Sequence, residues 1–199
     1  MFLENVQVTR SMFCQCFRLD VGINVERQIN TVSTMSRNAL LWLVPVFITI
    51  HNLEEGLFMP PFLQTRNSSI PSGLRSLLPP ITYRQFLIAL IIMTVPPYLI
   101  AWLGKLKCEH SVDVYLLLGL QVVMLYNVLA HVAMAAVMGG YAPGVVTALI
   151  INLPFSVYLM RRALKERWVP RRVLVSLFPI GLIVHAVGLP SLIILAGTI

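Results

Sequence analysis

Five apolar runs, each long enough to cross a bilayer, constrain this 199-residue chain more than any other feature. They cover residues 39–58, 84–104, 114–138, 141–160 and 173–197. A hydrocarbon core of about 30 Å takes about 20 helical residues. Inside lipid every backbone N–H and C=O must be paired within the protein, which leaves helices and closed barrels. Barrel strands alternate apolar and polar residues, and these runs do not. The composition agrees, with 57% hydrophobic and 12% charged residues, too apolar for a soluble domain of this length. The expected fold is all-α, a polytopic transmembrane bundle of about five spans. It forms a single domain over residues 37–199, with no room for a second folded one. Residues 1–36 read as a flexible N-terminal extension. They lack the apolar stretch of a cleavable signal peptide. Met35-Ser36-Arg37-Asn38 looks like a more natural start, which would make the extension an artefact of start-site choice.

The net charge of +7 does not indicate a nucleic-acid partner, because the basic residues flank the apolar runs and form no face of their own. They follow the positive-inside rule. Arg161, Arg162, Lys165, Arg167, Arg171 and Arg172 lie between the fourth and fifth runs. If that loop is cytoplasmic, 12 of the 15 Lys and Arg fall inside. The expected orientation is thus N-terminus in and C-terminus out. Cys14, Cys16 and Cys108 all fall on the inner side and give neither a disulfide framework nor a zinc pair.

Prolines and glycines mark the joints. Pro60-Pro61 is expected to end the first span, since proline cannot continue a helix. Pro96-Pro97 in the second span is expected to kink or break it. Leu74, Leu77 and Leu78 in the long connection after Pro61 read as plain loop. Gly139-Gly140 and Pro143-Gly144 predict a tight turn that makes the third and fourth spans adjacent and antiparallel. No internal repeat of the kind common in transporters is visible.

The first run contains His51-Asn52-Leu53-Glu54-Glu55. An ionisable side chain near the bilayer centre costs several kcal/mol, roughly, unless paired, hydrated or bound to metal. On a helix, positions i, i+3 and i+4 share a face, so His51, Glu54 and Glu55 point one way. Asn127 and His131 do the same on the third span, Asn152 lies on the fourth and His185 on the fifth. Counted at about 1.5 Å per residue, these groups converge on the middle-to-outer membrane.

A zinc-type ion takes three ligands from His, Asp or Glu and leaves one position for water. HxxEE is the inverted HxxEH metalloprotease pattern with the last histidine replaced by glutamate. On that mapping His51, Glu55 and His131 are ligands of a zinc-type divalent metal and Glu54 is the general base. The two glutamates could exchange roles. Asn127 could hydrogen-bond a reacting carbonyl or orient a ligand. His185 is an alternative ligand or a proton donor. The plainer readings are a solvated helix end, packing histidines, or an ion pair with Arg84. A di-iron site would want about four carboxylates, and the spans offer two. His110 has no assigned role.

HNLEE on the first span and NVLAH on the third resemble the bacterial HXXEE-motif membrane proteins, over roughly Met35 to Ile199. The resemblance implies a multi-span protein of a bacterial inner (cytoplasmic) membrane, suspected of enzymatic activity, and supplies no substrate. A looser similarity links the chain to CAAX-protease-like membrane peptidases. Their motif continues EExxxR, whereas Met59 stands at the matching position here, so mechanism does not carry over.

The leading expectation is an intramembrane metal-dependent hydrolase acting on a lipid, a lipidated peptide or a transmembrane peptide. Its surroundings are the lipid bilayer, with a homodimer conceivable. A second reading is a small transporter or proton-coupled permease using the buried His and Glu groups. A third is an accessory protein whose polar cluster only fixes helix packing.

Overall fold

The computed structural model describes residues 35–69, 73, 81–104 and 111–198. The extension with Cys14 and Cys16, the connection with Leu74, Leu77 and Leu78, and Lys105, Lys107, Cys108 and His110 lie outside them. Five helices make up the described chain: α1 (Arg37–Ser69), α2 (Tyr83–Leu103), α3 (Val112–Met138), α4 (Val145–Lys165) and α5 (Arg171–Leu195). All five are long and apolar enough to cross a membrane, and the described residues contain no strand.

Local sequence sets the helix ends. Thr82 and Gln85 form a reciprocal capping box that starts α2, with Thr82 N donating to Gln85 Oε1 at 2.8 Å. Such a box pairs two of the amides a helix start leaves without partners. Ser111 caps α3 through the Val114 amide, and Gly139, at φ 65°, ends it in the left-handed conformation that glycine adopts most easily. The turn 139–144 then reverses the chain into α4.

Pro60-Pro61 does not end the first helix, contrary to expectation: α1 runs through both prolines to Ser69. Proline at position 60 frees the carbonyl of Gly56, four residues earlier. The Tyr83 hydroxyl of α2 donates to that carbonyl at 2.9 Å. Pro96-Pro97 likewise lies inside an unbroken α2. Thr49 to Tyr98 at 3.0 Å and Asn52 to Thr94 at 2.8 Å tie this stretch of α2 to α1. Neighbouring hydroxyls that hold a proline-bearing segment in place are what lets membrane helices tolerate it.

Two other prolines leave a visible mark. α4 carries a π-helical turn at Ala148–Asn152 and α5 one at Val184–Gly188, ending two residues before Pro154 and Pro190 respectively. The wider turn gives the ring room against the preceding carbonyls. One of these turns contains His185.

α1 is the central helix and α5 the peripheral one. In their most apolar windows, 44% of α1 is buried and only 6% of α5. The half of the bundle away from the 139–144 turn is packed with Leu40, Leu41, Val44, Leu117, Leu118 and Leu159, and Trp168 closes it.

Candidate metal centre

At the other end, α1 and α3 bring His51, Glu55 and His131 together. His51 Nε2 lies 3.2 Å from His131 Nε2 and 3.7 Å from Glu55 Oε1, and His131 Nε2 lies 2.9 Å from the same oxygen. Ligands held at about 2.0–2.1 Å around a tetrahedral ion are separated by roughly 3.3 Å. The three donors bracket that value, and the group is one that could hold a metal ion. Two imidazoles and one carboxylate suit zinc and other first-row metals. His51 is fully buried and Glu55 nearly so.

A hydrogen-bond chain sets the tautomer of His51. The Thr147 hydroxyl donates to Glu54 Oε2 at 2.5 Å, so its oxygen accepts from His51 Nδ1–H at 2.9 Å. Nε2 then presents a lone pair, as a metal ligand must, and the outer partner that fixes it is part of the design of such sites. Asn127 Nδ2 approaches the same nitrogen at 2.8 Å. Asn127 Oδ1 accepts from His185 Nε2 at 3.3 Å.

Glu54, expected as the general base, is engaged by four donors. Its two oxygens accept from the Thr147 amide at 2.7 Å, the Thr147 hydroxyl, the Val146 amide at 3.2 Å and the Tyr141 hydroxyl at 2.8 Å. The carboxylate therefore faces the first turn of α4, where free amides and the helix dipole favour an anion, and not the donor trio. Burial first, and then the bond to Glu54, push the Tyr141 phenol well above its ordinary range. Tyr141 thus stays protonated and remains a donor.

Backbone forms the floor of the site. Gly144 has φ +87°, and a Cβ there would stand 2.8 Å from His131 Cε1 and 2.9 Å from both Glu55 Cγ and His51 Cε1. No side chain fits, and few L residues adopt that φ.

Among the expected site residues, His51, Glu55, His131 and Asn127 are brought together. His185 hydrogen-bonds to Asn127. Asn152, expected to approach from α4, is buried one layer further along. Neither its Nδ2 nor its Oδ1 has a partner, while its carbonyl accepts from Ser156, which in turn accepts from Gln121. α4 reaches the site instead through Thr147. Thr147, Tyr141 and Gly144 were missed because they lie in or beside a turn. The available signal was a Gly-rich turn followed by threonine, next to a span carrying buried carboxylates.

The site borders an apolar cavity of about 270 Å³ at the end of the bundle that holds the 139–144 turn. Glu55, Asn127, His131 and His185 line one wall, and Met59 and Phe62 are among the apolar residues opposite. A smaller cavity of about 60 Å³ also reaches Glu55, Asn127 and His185 from between α1, α2 and α3.

Residues 42–159 match the family described as "Protein of unknown function with HXXEE motif". The chain is also similar to "Uncharacterized protein YrkK" of Bacillus subtilis (strain 168). The two are 29% identical over 141 residues, covering 70% of this chain and 84% of that one. No solved structure matches.

Proposed function

Because the chain belongs to the family of proteins with an HXXEE motif, and that family comes with no reaction attached, we propose from the geometry that it is an intramembrane metal-dependent hydrolase acting on a hydrophobic substrate. The observation that carries this reading is the convergence of two imidazoles and a carboxylate, within 3.7 Å of one another, at the wall of an apolar cavity inside the bundle. A zinc-type ion held by His51, Glu55 and His131 would supply the Lewis acidity that activates water and polarises a carbonyl.

The chain's own residues divide the remaining work. Glu54, through Thr147, holds His51 in the tautomer that frees Nε2, so it is a positioning residue. With Glu54 engaged by four donors, Glu55 is the carboxylate that would also take the proton of an activated water, through the oxygen not used to hold the ion; it lines both cavities. Asn127 faces the same space. Among the described residues no Lys or Arg lines the larger cavity, which suits a neutral ester or amide carbonyl on an apolar chain better than a phosphate. The packed half of the bundle also favours an enzyme over a permease. Leu117, Leu118, Val122 and Leu159 are fully buried there. With the positive-inside orientation of a bacterial cytoplasmic membrane, the cavity faces the outer half of the bilayer.

Elemental analysis of the detergent-purified protein tests the first step. About one equivalent of metal is expected, falling close to zero when His51→Ala and Glu55→Ala are combined. Hydrolysis of a fluorogenic acyl ester in proteoliposomes should stop on chelation and resume on adding zinc. Metal well below one equivalent, or metal unaffected by the double substitution, would overturn the reading.

A further inference from the structure

Three donors leave a metal ion room for at least one more ligand, and the structure positions a fourth polar group beside them. The Asn127 amide head lies 2.8 Å from His51 Nε2, a spacing like those among the three donors themselves. Here the amide nitrogen faces His51 and donates to its lone pair. That arrangement cannot coexist with a metal on His51, because the lone pair would already be used and an N–H has none of its own to offer. Turning the amide by half a rotation about its last side-chain bond exchanges its two ends. The oxygen, a good ligand for hard and borderline cations, then faces the ion. The nitrogen faces His185 Nε2, which is 3.3 Å from the amide oxygen now and can accept as readily as donate.

We infer that Asn127 is a direct metal ligand through its side-chain oxygen, brought into place by this amide turn and held from behind by His185. The inference rests on the metal-dependent reading above. It assigns His185 to the support of Asn127, and the donor set becomes two imidazoles, a carboxylate and an amide.

The test is a metal titration, with zinc and with cobalt(II), of the purified full chain and two variants. Asn127→Leu removes the oxygen and should weaken binding by about 10–100-fold, as loss of a ligand-supporting group commonly does. Asn127→Asp keeps an oxygen at the same place but has no N–H to donate to His51. It should bind as tightly as the parent chain or more tightly, with a shifted cobalt(II) visible spectrum. If Asn127 served only as a hydrogen-bond donor to the His51 lone pair, it would compete with the metal, the leucine variant would bind at least as tightly as the parent and with the parent's cobalt bands, and the inference would fall. Circular dichroism on each variant separates loss of a ligand from loss of fold. A parent chain that binds no metal would remove the proposed function and this inference together; a parent that binds while Asn127→Leu is unchanged would remove the inference alone.

Discussion

The two ends of this bundle are built by opposite rules. Away from the 139–144 turn the interior is Leu40, Leu41, Val44, Leu117, Leu118 and Leu159 against Trp168. At the turn it is two histidines, two glutamates, a threonine and an asparagine joined by hydrogen bonds. In lipid, tails are as apolar as leucine, so the first end is held chiefly by close packing. The second end is expensive unless every polar group is paired, and there Glu54 receives four donors and His51 is engaged at both ring nitrogens. The lesson is a division of labour: the dry end holds the helices together, and the wet end fixes which atoms face the cavity.

That contrast can be broken most strongly at the dry end. Leu118→Ala should lower unfolding stability by about 2–5 kcal/mol, the range for truncating a buried leucine, as measured by denaturant titration in detergent. Metal affinity should change by less than about twofold, since distant sites are nearly additive. A large loss of affinity would mean the ends are coupled.

Gly144→Ala should do the reverse. The new Cβ meets all three donor residues, and the left-handed backbone adds about 1–2 kcal/mol of strain. Metal content should drop far below one equivalent while helicity measured by circular dichroism is kept.

Thr147→Val should weaken metal binding by about 10–100-fold, because His51 Nδ1 loses its acceptor. Thr147→Ser should restore it, and failure of that rescue would reduce Thr147 to a packing role.

Tyr141→Phe removes one of four donors to Glu54, and less than about a tenfold effect on metal binding is expected. The pH dependence has a definite sign. The phenol is raised in the folded chain, by burial and then by Glu54. Its contribution to stability is therefore complete below the ordinary phenol range and is lost only as pH rises through the raised value. Absorbance titration of the phenolate checks this: one tyrosine should resist ionisation at alkaline pH, and the Tyr141→Phe chain should lack it.

The smallest effect is expected at the dry end's rim. Burial alone would raise the Glu166 carboxyl, but hydrogen bonds from Arg162 at 2.5 Å and from Trp168 at 2.9 Å hold it below the ordinary carboxylate range. Its side chain is 39% exposed, so Glu166→Gln should cost less than about 1 kcal/mol. What Glu166 contributes should be complete above the ordinary carboxylate range and be lost as pH falls from there through the lowered value.

The spans and the gathering of His51, Glu55 and His131 are legible in the sequence. Apolar runs of bilayer length leave the backbone no alternative to helix, and the observed ends of α1 to α5 fall within a few residues of the expected ones, apart from the continuation of α1. His51 and Glu55 share a face because of the helix period, and His131 follows from its depth on α3. Tertiary structure decided the rest. Pro60-Pro61 reads as a stop until Tyr83, on another helix, takes up the freed carbonyl. Glu54 and Glu55 are adjacent and chemically identical in the sequence, and either could serve as ligand or base. Only the packing of α4 against α1 turns one toward the amides of Val146 and Thr147 and leaves the other facing His131. Donors from a turn more than 85 residues away carry no periodic signal, so a hydrogen-bond partner of that kind becomes visible only when the chain is folded.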